Sequence, residues 1–375
     1  MKTIAILCGR YLPGYKDGGP VRTIINLVDS LGEKYHFVII TSDRDHGDKY
    51  PYKGIIYNQA NRVGNAEVFY LKEGKFKFSN IRKLTDKADL IYVCGPYNAY
   101  AYKTLILKRI GLLKQQVVVA SMGSFSKGAF KIKSCKKKIF VDLCKKTGLY
   151  QKILWSVTSE LEKKDVEDIV GKEANCCIAE DLPRKVSEIS ITRKGMILKV
   201  IFISRISKMK NLLYAIDILN NIKSSIIFDI YGPLEDKEYW GKCQKKLNEL
   251  PANIQWTYKG MADSEQVINI FSDYDVFLFP TQGENYGHVI FESLAGGCIP
   301  VISDQTSWGE IETEKCGRVI SLSNFNEFVS EIQKLAEMDR DKLIKTREKA
   351  NRYAVIKYEE SVKDTGYMKI FGLDE

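Results

Sequence analysis

The chain has 375 residues, about two and a half times the length of an average domain, which favours two domains over one large core. Hydrophobic residues make up 45% and charged residues 28%, a globular composition that excludes wholesale disorder. No apolar run approaches the roughly 18 residues that span a bilayer, so we do not expect an integral membrane protein. Nine scattered cysteines favour reduced thiols and a cytosolic location.

The net charge of +10 is unevenly distributed along the chain. Residues 1–190 carry 33 Lys and Arg against 20 Asp and Glu, a net charge of +13. Residues 191–375 carry 24 against 27, a net charge of −3. The basic first half therefore predicts a polyanionic partner there, either nucleic acid or an anionic membrane surface.

The first half alternates apolar β-branched runs with helical stretches, the pattern of a parallel sheet with crossover helices. Its strands are predicted at 3–8, 37–41, 90–94 and 117–121. Between the first strand and a helix over about 20–31 lie Gly18 and Gly19, where paired glycines permit close backbone approach. The Gly-x-Gly-x-x-Gly fingerprint of dinucleotide-binding folds is not present. We assign residues 1–185 to an N-terminal Rossmann-like domain.

A lysine-rich segment extends from Lys127 to Trp155. It holds nine lysines and one acid, Asp142, interleaved with apolar residues at spacings that can form a basic amphipathic helix. Such a helix can lie on an anionic leaflet, where each nearby cation contributes about 1 kcal/mol. The alternatives are a solvated charged face over a packed apolar one, or a nucleic-acid face, which no recognised motif accompanies.

The second half repeats the alternation more regularly. Strands are predicted at 199–204, 226–231, 254–258, 276–280 and 300–303, and helices are predicted to begin near Asn211, Asp236, Ser264, Tyr286 and Asn326. A polar, weakly periodic segment over 180–195 predicts a linker, so residues 196–353 form a second Rossmann-like domain. Ligands of open α/β sheets bind beyond the carboxyl ends of the strands, so two such sheets predict a cleft between them.

Two loops of the second half place charged residues just after predicted strands. Arg205 and Lys210 precede a helix start, and two cations beside a helix N-terminus suit a diphosphate. Glu284 lies in a glycine-containing loop, and Glu292 lies two turns into the helix that follows. A carboxylate buried in this place would accept hydrogen bonds from hydroxyl groups, because leaving it unpaired is costly.

These segments resemble the retaining glycosyltransferases of family four. The likeness covers the C-terminal half, in R-I-S-K-M-K-N over 205–211, Y-G-P over 231–233, Y-K-G-M over 258–261 and P-T-Q-G-E-N-Y-G-H-V-I-F-E-S-L over 280–294. The resemblance implies the GT-B fold, an α/β architecture of two Rossmann-like, doubly wound parallel-sheet domains facing across a cleft. It also implies that a C-terminal helix over 354–375 crosses back to the N-terminal domain.

The resemblance also implies a role for each matching residue. Arg205 and Lys210 would neutralise the donor diphosphate, and Glu284 would bind hydroxyls of the transferred sugar. These three residues would be the catalytic residues. Glu292 would hold the ribose hydroxyls, and His288 would either contact a phosphate or serve only in packing. The full set of donor-binding positions is Gly18, Gly19, Gly232, Gly260, Met261, Asn285, Tyr286, Gly287, His288 and Glu292. Many relatives have an arginine where this chain has Met122, which puts an arginine-dependent contact there in doubt.

The function that the resemblance implies is a metal-independent, retaining hexosyltransferase with no cofactor. It would move a sugar from a nucleotide-diphosphate donor, UDP-sugar favoured and GDP-sugar possible, to an acceptor hydroxyl. Together with the basic segment, this predicts a cytoplasmic enzyme peripheral to the inner leaflet, extending a lipid-linked glycan in bacterial capsule or O-antigen biosynthesis, without nucleic acid. The alternatives are a non-catalytic nucleotide-sugar or polyanion-binding protein and another GT-B enzyme such as an epimerase.

Overall fold

The computed structural model describes residues 1–126, 134–192, 195–263 and 265–372. The chain divides into two compact units, one formed by Met1–Arg184 with Glu360–Glu375 and the other by Lys185–Glu359. The segment that begins at Lys185, which was predicted as part of the linker, therefore belongs to the second unit. Asn351 explains this, because its side chain accepts from the Ile189 N–H at 3.0 Å and donates to the Ser187 carbonyl at 3.3 Å.

The first unit is built on an eight-stranded sheet with the order β3-β4-β2-β1-β5-β6-β7-β8. Its strands are β1 Thr3–Leu7, β2 His36–Ser42, β3 Asn61–Val63, β4 Ala66–Leu71, β5 Leu90–Cys94, β6 Gln116–Ala120, β7 Ile153–Val157 and β8 Cys176–Ile178. Its helices, in chain order, are α1 Gly19–Leu31, α2 Phe78–Thr85, α3 Ala99–Arg109, α4 Ser134–Lys146 and α5 Glu160–Val170. All neighbouring strands are parallel except the β3–β4 pair.

The second unit is built on a six-stranded parallel sheet with the order β11-β10-β9-β12-β13-β14. Its strands are β9 Leu198–Ile203, β10 Ile226–Tyr231, β11 Ile254–Gly260, β12 Val276–Phe279, β13 Ile299–Ser303 and β14 Arg318–Ile320. Its helices are α6 Leu212–Leu219, α7 Lys237–Asn248, α8 Val267–Ser272, α9 His288–Ala295, α10 Glu310–Thr313, α11 Phe325–Glu337 and most of α12 Arg340–Lys363. The prediction of two mainly parallel α/β sheets is confirmed.

The central strands of both sheets are continuous apolar runs because helices cover both faces of a parallel sheet. Every residue of β5 is buried, and so is every residue of β12. In the first unit one face packs on α1 through Ile24 and Leu27, and the opposite face packs on α2 and α3 through Ile81 and Leu105. In the described part of the chain, no helix is both long and apolar enough to cross a membrane.

The last helix, α13 Gly366–Phe371, belongs to the core of the first unit. Tyr367 and Phe371 are buried there, and the Phe371 ring packs edge-on against Tyr35 with centroids 5.1 Å apart. Gly366 passes close to β8, where an added Cβ would lie 2.1 Å from the Ile178 carbonyl oxygen. A glycine is therefore required for this helix to reach the sheet.

The lysine-rich segment does not form one continuous amphipathic helix. Residues 127–133 lie outside the described residues, and α4 ends at Lys146. The prediction is wrong at its C-terminal end, where Ile153–Val157 forms the sheet strand β7 and pairs with β6 and β8. Trp155 is only 1% exposed, because it packs in the core against Phe125 and Tyr150.

Candidate active site

The charged loops of the second unit meet at the middle of its sheet. Strands β9 and β12 are neighbours, yet the chain continues from β9 to β10 on one side and from β12 to β13 on the other. This is a topological switch point, where open α/β sheets form a crevice at the carboxyl ends of their strands. The loop after β9 carries Arg205 and Lys210, and the loop after β12 carries Glu284.

Asn211 ties these two loops together. Its backbone is left-handed, with φ of 62°, and it lies between the 3-10 helix Lys208–Lys210 and α6. Its side-chain amide donates to the Pro280 carbonyl at 2.9 Å, and the Gln282 N–H donates to the Met209 carbonyl at 2.8 Å. The sequence pattern identified Asn211 only as a helix start and missed this positioning contact.

Lys210 and Glu284 form an ion pair within the site. Their side chains are only 12% and 14% exposed, and the Lys210 ammonium lies 5.7 Å from the Phe279 ring centroid. The resemblance assigned these residues to different parts of the donor, and the structure brings them into direct contact. A ligand that engages either group therefore meets a charge that is already paired.

Arg205 also pairs with a carboxylate, but in a more open setting. Its guanidinium donates to Glu235 at 2.8 Å, with the two side chains 50% and 48% exposed. Exposed ion pairs contribute about 1 kcal/mol or less, so an anionic ligand can displace Glu235. The sequence analysis did not identify Glu235, which follows β10 and carries no motif of its own.

Helix α9 begins at the same edge of the sheet. Its N-cap is Gly287, in a left-handed conformation with φ of 82°, and no side chain caps the helix. Glu292 lies on this helix with 7% relative exposure. The His288 ring packs beside Tyr286 with centroids 4.8 Å apart, and its predicted phosphate contact stays a prediction.

The loop that holds Glu284–Gly287 is supported by the segment after β13, which the sequence analysis did not select. The Trp308 indole N–H donates to the Tyr286 carbonyl at 2.6 Å, and Trp308 is 2% exposed. The Glu284 N–H donates to the Gln305 carbonyl at 3.2 Å, and the Ser303 hydroxyl donates to the Thr281 carbonyl at 2.5 Å. A tryptophan in an otherwise polar stretch of sequence is the signal from which this support of the loop could have been predicted.

The predicted glycine turn at Gly232 follows β10, and the predicted nucleobase-contacting segment over 258–261 lies at the end of the neighbouring strand β11. An added Cβ on Gly232 would lie 1.7 Å from the Ser204 carbonyl oxygen, so only glycine fits at this turn. The Gly232 N–H donates to the Gly260 carbonyl at 2.8 Å, and the Tyr258 hydroxyl donates to the Gly232 carbonyl at 2.8 Å. Met261 follows with 49% exposure.

The remaining predicted positions lie in the first unit. Gly18 is the N-cap of α1 with φ of 63°, and added Cβ atoms on Gly18 and Gly19 would meet no atom within 4 Å. The backbone at both positions is therefore open to a ligand. Within the described ranges, no group of three or more His, Cys, Asp or Glu is arranged to hold a metal ion.

Helix α5 supports a turn at the carboxyl end of β6. The buried Glu162 carboxylate accepts from the Thr158 N–H at 2.7 Å and from the Gly123 N–H at 2.5 Å. Met122 precedes Gly123 and adopts a left-handed backbone with φ of 48°. Glu162 therefore positions the turn that carries Met122.

Comparison with known proteins gives the same fold. The family model described as glycosyl transferases group 1 matches residues 188–355. Sucrose-phosphate synthase from Thermosynechococcus elongatus superposes with a TM-score of 0.70 at 14% identity, covering 99% of each chain. The Anabaena protein HepE, solved with UDP and glucose, gives 0.66 at 14% identity, covering 96% of this chain and 98% of HepE.

A UDP-forming trehalose-phosphate synthase from Burkholderia vietnamiensis gives a TM-score of 0.66 at 11% identity, covering 99% of each chain. Identities this low show a shared fold alone. No curated protein matches the sequence. The chain has the two-sheet GT-B fold of these enzymes, and its residues 188–355 match the family model of the glycosyl transferases group 1.

Proposed function

We propose that the protein is a retaining, metal-independent hexosyltransferase that uses a nucleotide-diphosphate-sugar, with UDP-sugars favoured and GDP-sugars possible. The observation that carries the proposal is the convergence of Arg205, Lys210 and the N-terminus of α9 at one switch point of the sheet. UDP appears in the names or complexes of several proteins with this fold, which supports the choice of donor.

Negative charge develops on the diphosphate as the bond to the sugar breaks. Arg205 leaves its exposed ion pair with Glu235 and binds the diphosphate. Lys210 likewise leaves its ion pair with Glu284 and binds the diphosphate. Losing one preorganised donor to such a charge typically costs roughly 3–4 kcal/mol. Two cations and backbone N–H groups meet the diphosphate charge in this proposal, so the mechanism calls for no metal.

Glu284 is released from Lys210 when the diphosphate binds, and it then accepts hydrogen bonds from sugar hydroxyls. Retention follows from front-face attack, in which the acceptor oxygen bonds to the anomeric carbon on the side that the diphosphate leaves. The proton of the acceptor hydroxyl passes to the leaving phosphate oxygen. Glu284 positions the sugar and forms no bond to it. Glu292, Gly260 and Met261 hold the nucleoside as the resemblance implies.

The proposed acceptor is a lipid-linked glycan at the inner face of the cytoplasmic membrane, in bacterial capsule or O-antigen biosynthesis. Helix α4 supports this partner, because Ile139 and Leu143 are 69% and 56% exposed among exposed lysines that include Lys138 and Lys145. At the end of α3, Ile110 is 61% exposed, which adds a further exposed apolar side chain. Exposed apolar residues among lysines are what an anionic leaflet binds.

Incubation with a panel of labelled UDP- and GDP-sugars and a lipid-linked glycan acceptor tests the proposal. We expect the protein to transfer sugar from one of these donors to the acceptor. When the acceptor is left out, we expect slow hydrolysis of the same donor. An Arg205→Ala variant that melts like the wild type serves as the inactive control. Donor binding with neither transfer nor hydrolysis in the wild type would instead assign a non-catalytic binding protein.

A further inference from the structure

The Tyr286–Gly287 peptide is held from one side by a tryptophan. The Trp308 indole N–H donates to the Tyr286 carbonyl oxygen at 2.6 Å, and both residues are buried, at 2% and 3% exposure. The Trp308 ring also packs on Tyr286 at 5.4 Å and on Phe291 of α9 at 6.4 Å between centroids. The indole therefore packs between the loop and α9, the helix that follows the loop.

This hydrogen bond fixes the direction of the next N–H group. In a trans peptide the carbonyl of one residue and the N–H of the next lie in the peptide plane and point in opposite directions. With the Tyr286 carbonyl aimed at Trp308, the Gly287 N–H points away from the indole. Among the described residues, no backbone carbonyl accepts a hydrogen bond from this N–H.

Gly287 itself lies close to the indole. Gly287 has φ of 82°, and an added Cβ would lie 3.0 Å from Ile290 Cδ1 and 3.4 Å from Trp308 Nε1. Trp308 and the first turn of α9 therefore flank Gly287 and leave little room for a side chain there. The hydrogen bond from the indole fixes the orientation of the Tyr286–Gly287 peptide.

We propose that Trp308 is a positioning residue, which orients the Gly287 N–H toward the donor without touching it. The inference rests on the proposed function, because it assigns the oriented N–H to the leaving diphosphate and the transferred sugar. Donors held in place before the reaction stabilise developing charge best, since they do not have to reorganise. A support that loosens by a fraction of an ångström weakens the donor that it orients.

Trp308→Phe tests the proposal, since it removes the N–H and keeps an aromatic ring. The matched control is Trp155→Phe, a buried tryptophan of the first unit whose ring packs on Phe125 and Tyr150. We expect faster amide hydrogen exchange over residues 284–288 and about tenfold weaker UDP binding by calorimetry in Trp308→Phe, because the variant leaves a buried carbonyl without its hydrogen bond. In an active enzyme, kcat/KM for the donor should fall by the same factor.

Trp155→Phe should lower the melting temperature and leave both readouts unchanged. Unchanged exchange over 284–288 in Trp308→Phe, or wild-type UDP affinity, would overturn the proposal. If the wild type neither binds UDP nor transfers any sugar, the proposed function fails, while the exchange experiment still decides whether Trp308 holds the loop.

A milder variant covers the case in which Trp308→Phe does not fold. The Lys357 ammonium lies 5.9 Å from the Trp308 ring centroid and also pairs with Glu310 at 2.7 Å. Lys357→Met removes this cation and leaves the indole N–H in place. We expect exchange over 284–288 to rise by about twofold, as the loss of one cation–π contact predicts. Exchange equal to the wild type would count against Trp308 as the support of this loop.

Discussion

The Lys210 ammonium and the Glu284 carboxylate neutralise each other across two loops, and both side chains are largely shielded from solvent. The two residues are 74 positions apart in the chain and meet because β9 and β12 are neighbours in the sheet. The pair keeps either charge from being left alone in a site with little water. It also means that the site holds its own counter-charges before the donor arrives.

Removing only one member of this pair should destabilise the second unit. In Lys210→Met the Glu284 carboxylate stays shielded without its partner, a change that costs about 3 kcal/mol in comparable cases. We expect a lower melting temperature by calorimetry for the single variant Lys210→Met. The double variant Lys210→Met, Glu284→Gln should recover most of this loss of melting temperature. Both proteins should be inactive. Equal melting of the wild type and the single variant would show that solvent compensates the lone charge.

Arg205 and its partner should behave differently from that pair. Arg205→Ala should lower turnover by about 10²–10³ while the melting temperature stays unchanged, because the pair with Glu235 is half exposed. Glu235→Gln removes the competing carboxylate and should leave UDP binding as tight as in the wild type, or tighter. Calorimetric titration with UDP measures this. Weaker UDP binding in Glu235→Gln would show that Glu235 orients Arg205 for the ligand.

Gly232 should tolerate no side chain. An added Cβ would meet the Ser204 carbonyl at 1.7 Å, and φ is 137°, so Gly232→Ala has to displace the loop that carries Arg205. We expect loss of UDP binding and a lower melting temperature. Gly241→Ala is the control, because Gly241 lies in α7 with no atom near its added Cβ. Helix propensity predicts that this control is stabilised by up to about 1 kcal/mol.

Asp181 should make the stability of the first unit depend on pH. Burial raises the pKa of this carboxyl from 3.8 to about 7, aided by Glu162 and opposed by hydrogen bonds from Thr23 and Tyr367. The unfolded chain ionises above about pH 4 while the folded protein keeps the proton, so stability falls between pH 4 and pH 7. Asp181→Asn removes this dependence. Its melting temperature relative to the wild type should therefore rise from pH 5 to pH 8, and a constant difference would contradict the raised pKa.

The exposed apolar side chains of α4 can be tested on membranes. Ile139→Asp with Leu143→Asp should abolish binding to vesicles that contain anionic lipid at low salt, as measured by flotation. Leu161→Asp is the matched control, because Leu161 is 72% exposed on α5 and should not affect binding. Unchanged binding of the double variant, or no binding by the wild type, would remove the membrane from the proposed function.

The sequence predicted those parts of the site in which a charged motif directly follows a buried apolar strand. Arg205, Lys210 and Glu284 fall in this class, since strand ends in a parallel sheet share one edge. Contacts to backbone carbonyls were not predictable, because a pattern does not show which carbonyl an Asn211 amide or a Trp308 indole will reach. The ion pair between Lys210 and Glu284 was not predictable because it requires β9 and β12 to be neighbours in the sheet. The periodicity of single strands does not show the order in which the strands lie.

One of the fold predictions failed where a lysine-rich composition made the periodicity of a strand difficult to recognise. Trp155 lies in a strand whose neighbours are lysine-rich, so the segment was interpreted as part of a basic helix. Strands β3, β4, β8 and β14 were also missed. The edge strands β3, β8 and β14 have only three residues each, which carry too little alternation to be recognised. Central strands were predicted to within one or two residues at nearly every end, since burial on both faces leaves an unbroken apolar run.

The placement of α13 has a consequence for how the protein is made. The core of the first unit is complete only when Tyr367 and Phe371 have packed against Tyr35 and Tyr92. The ribosome therefore has to synthesise the whole second unit before this core can close. The second unit, contiguous from Lys185 to Glu359, has all of its residues available earlier. We expect the unit encoded second to finish folding first, with the core of the N-terminal sheet incomplete until α13 has been synthesised.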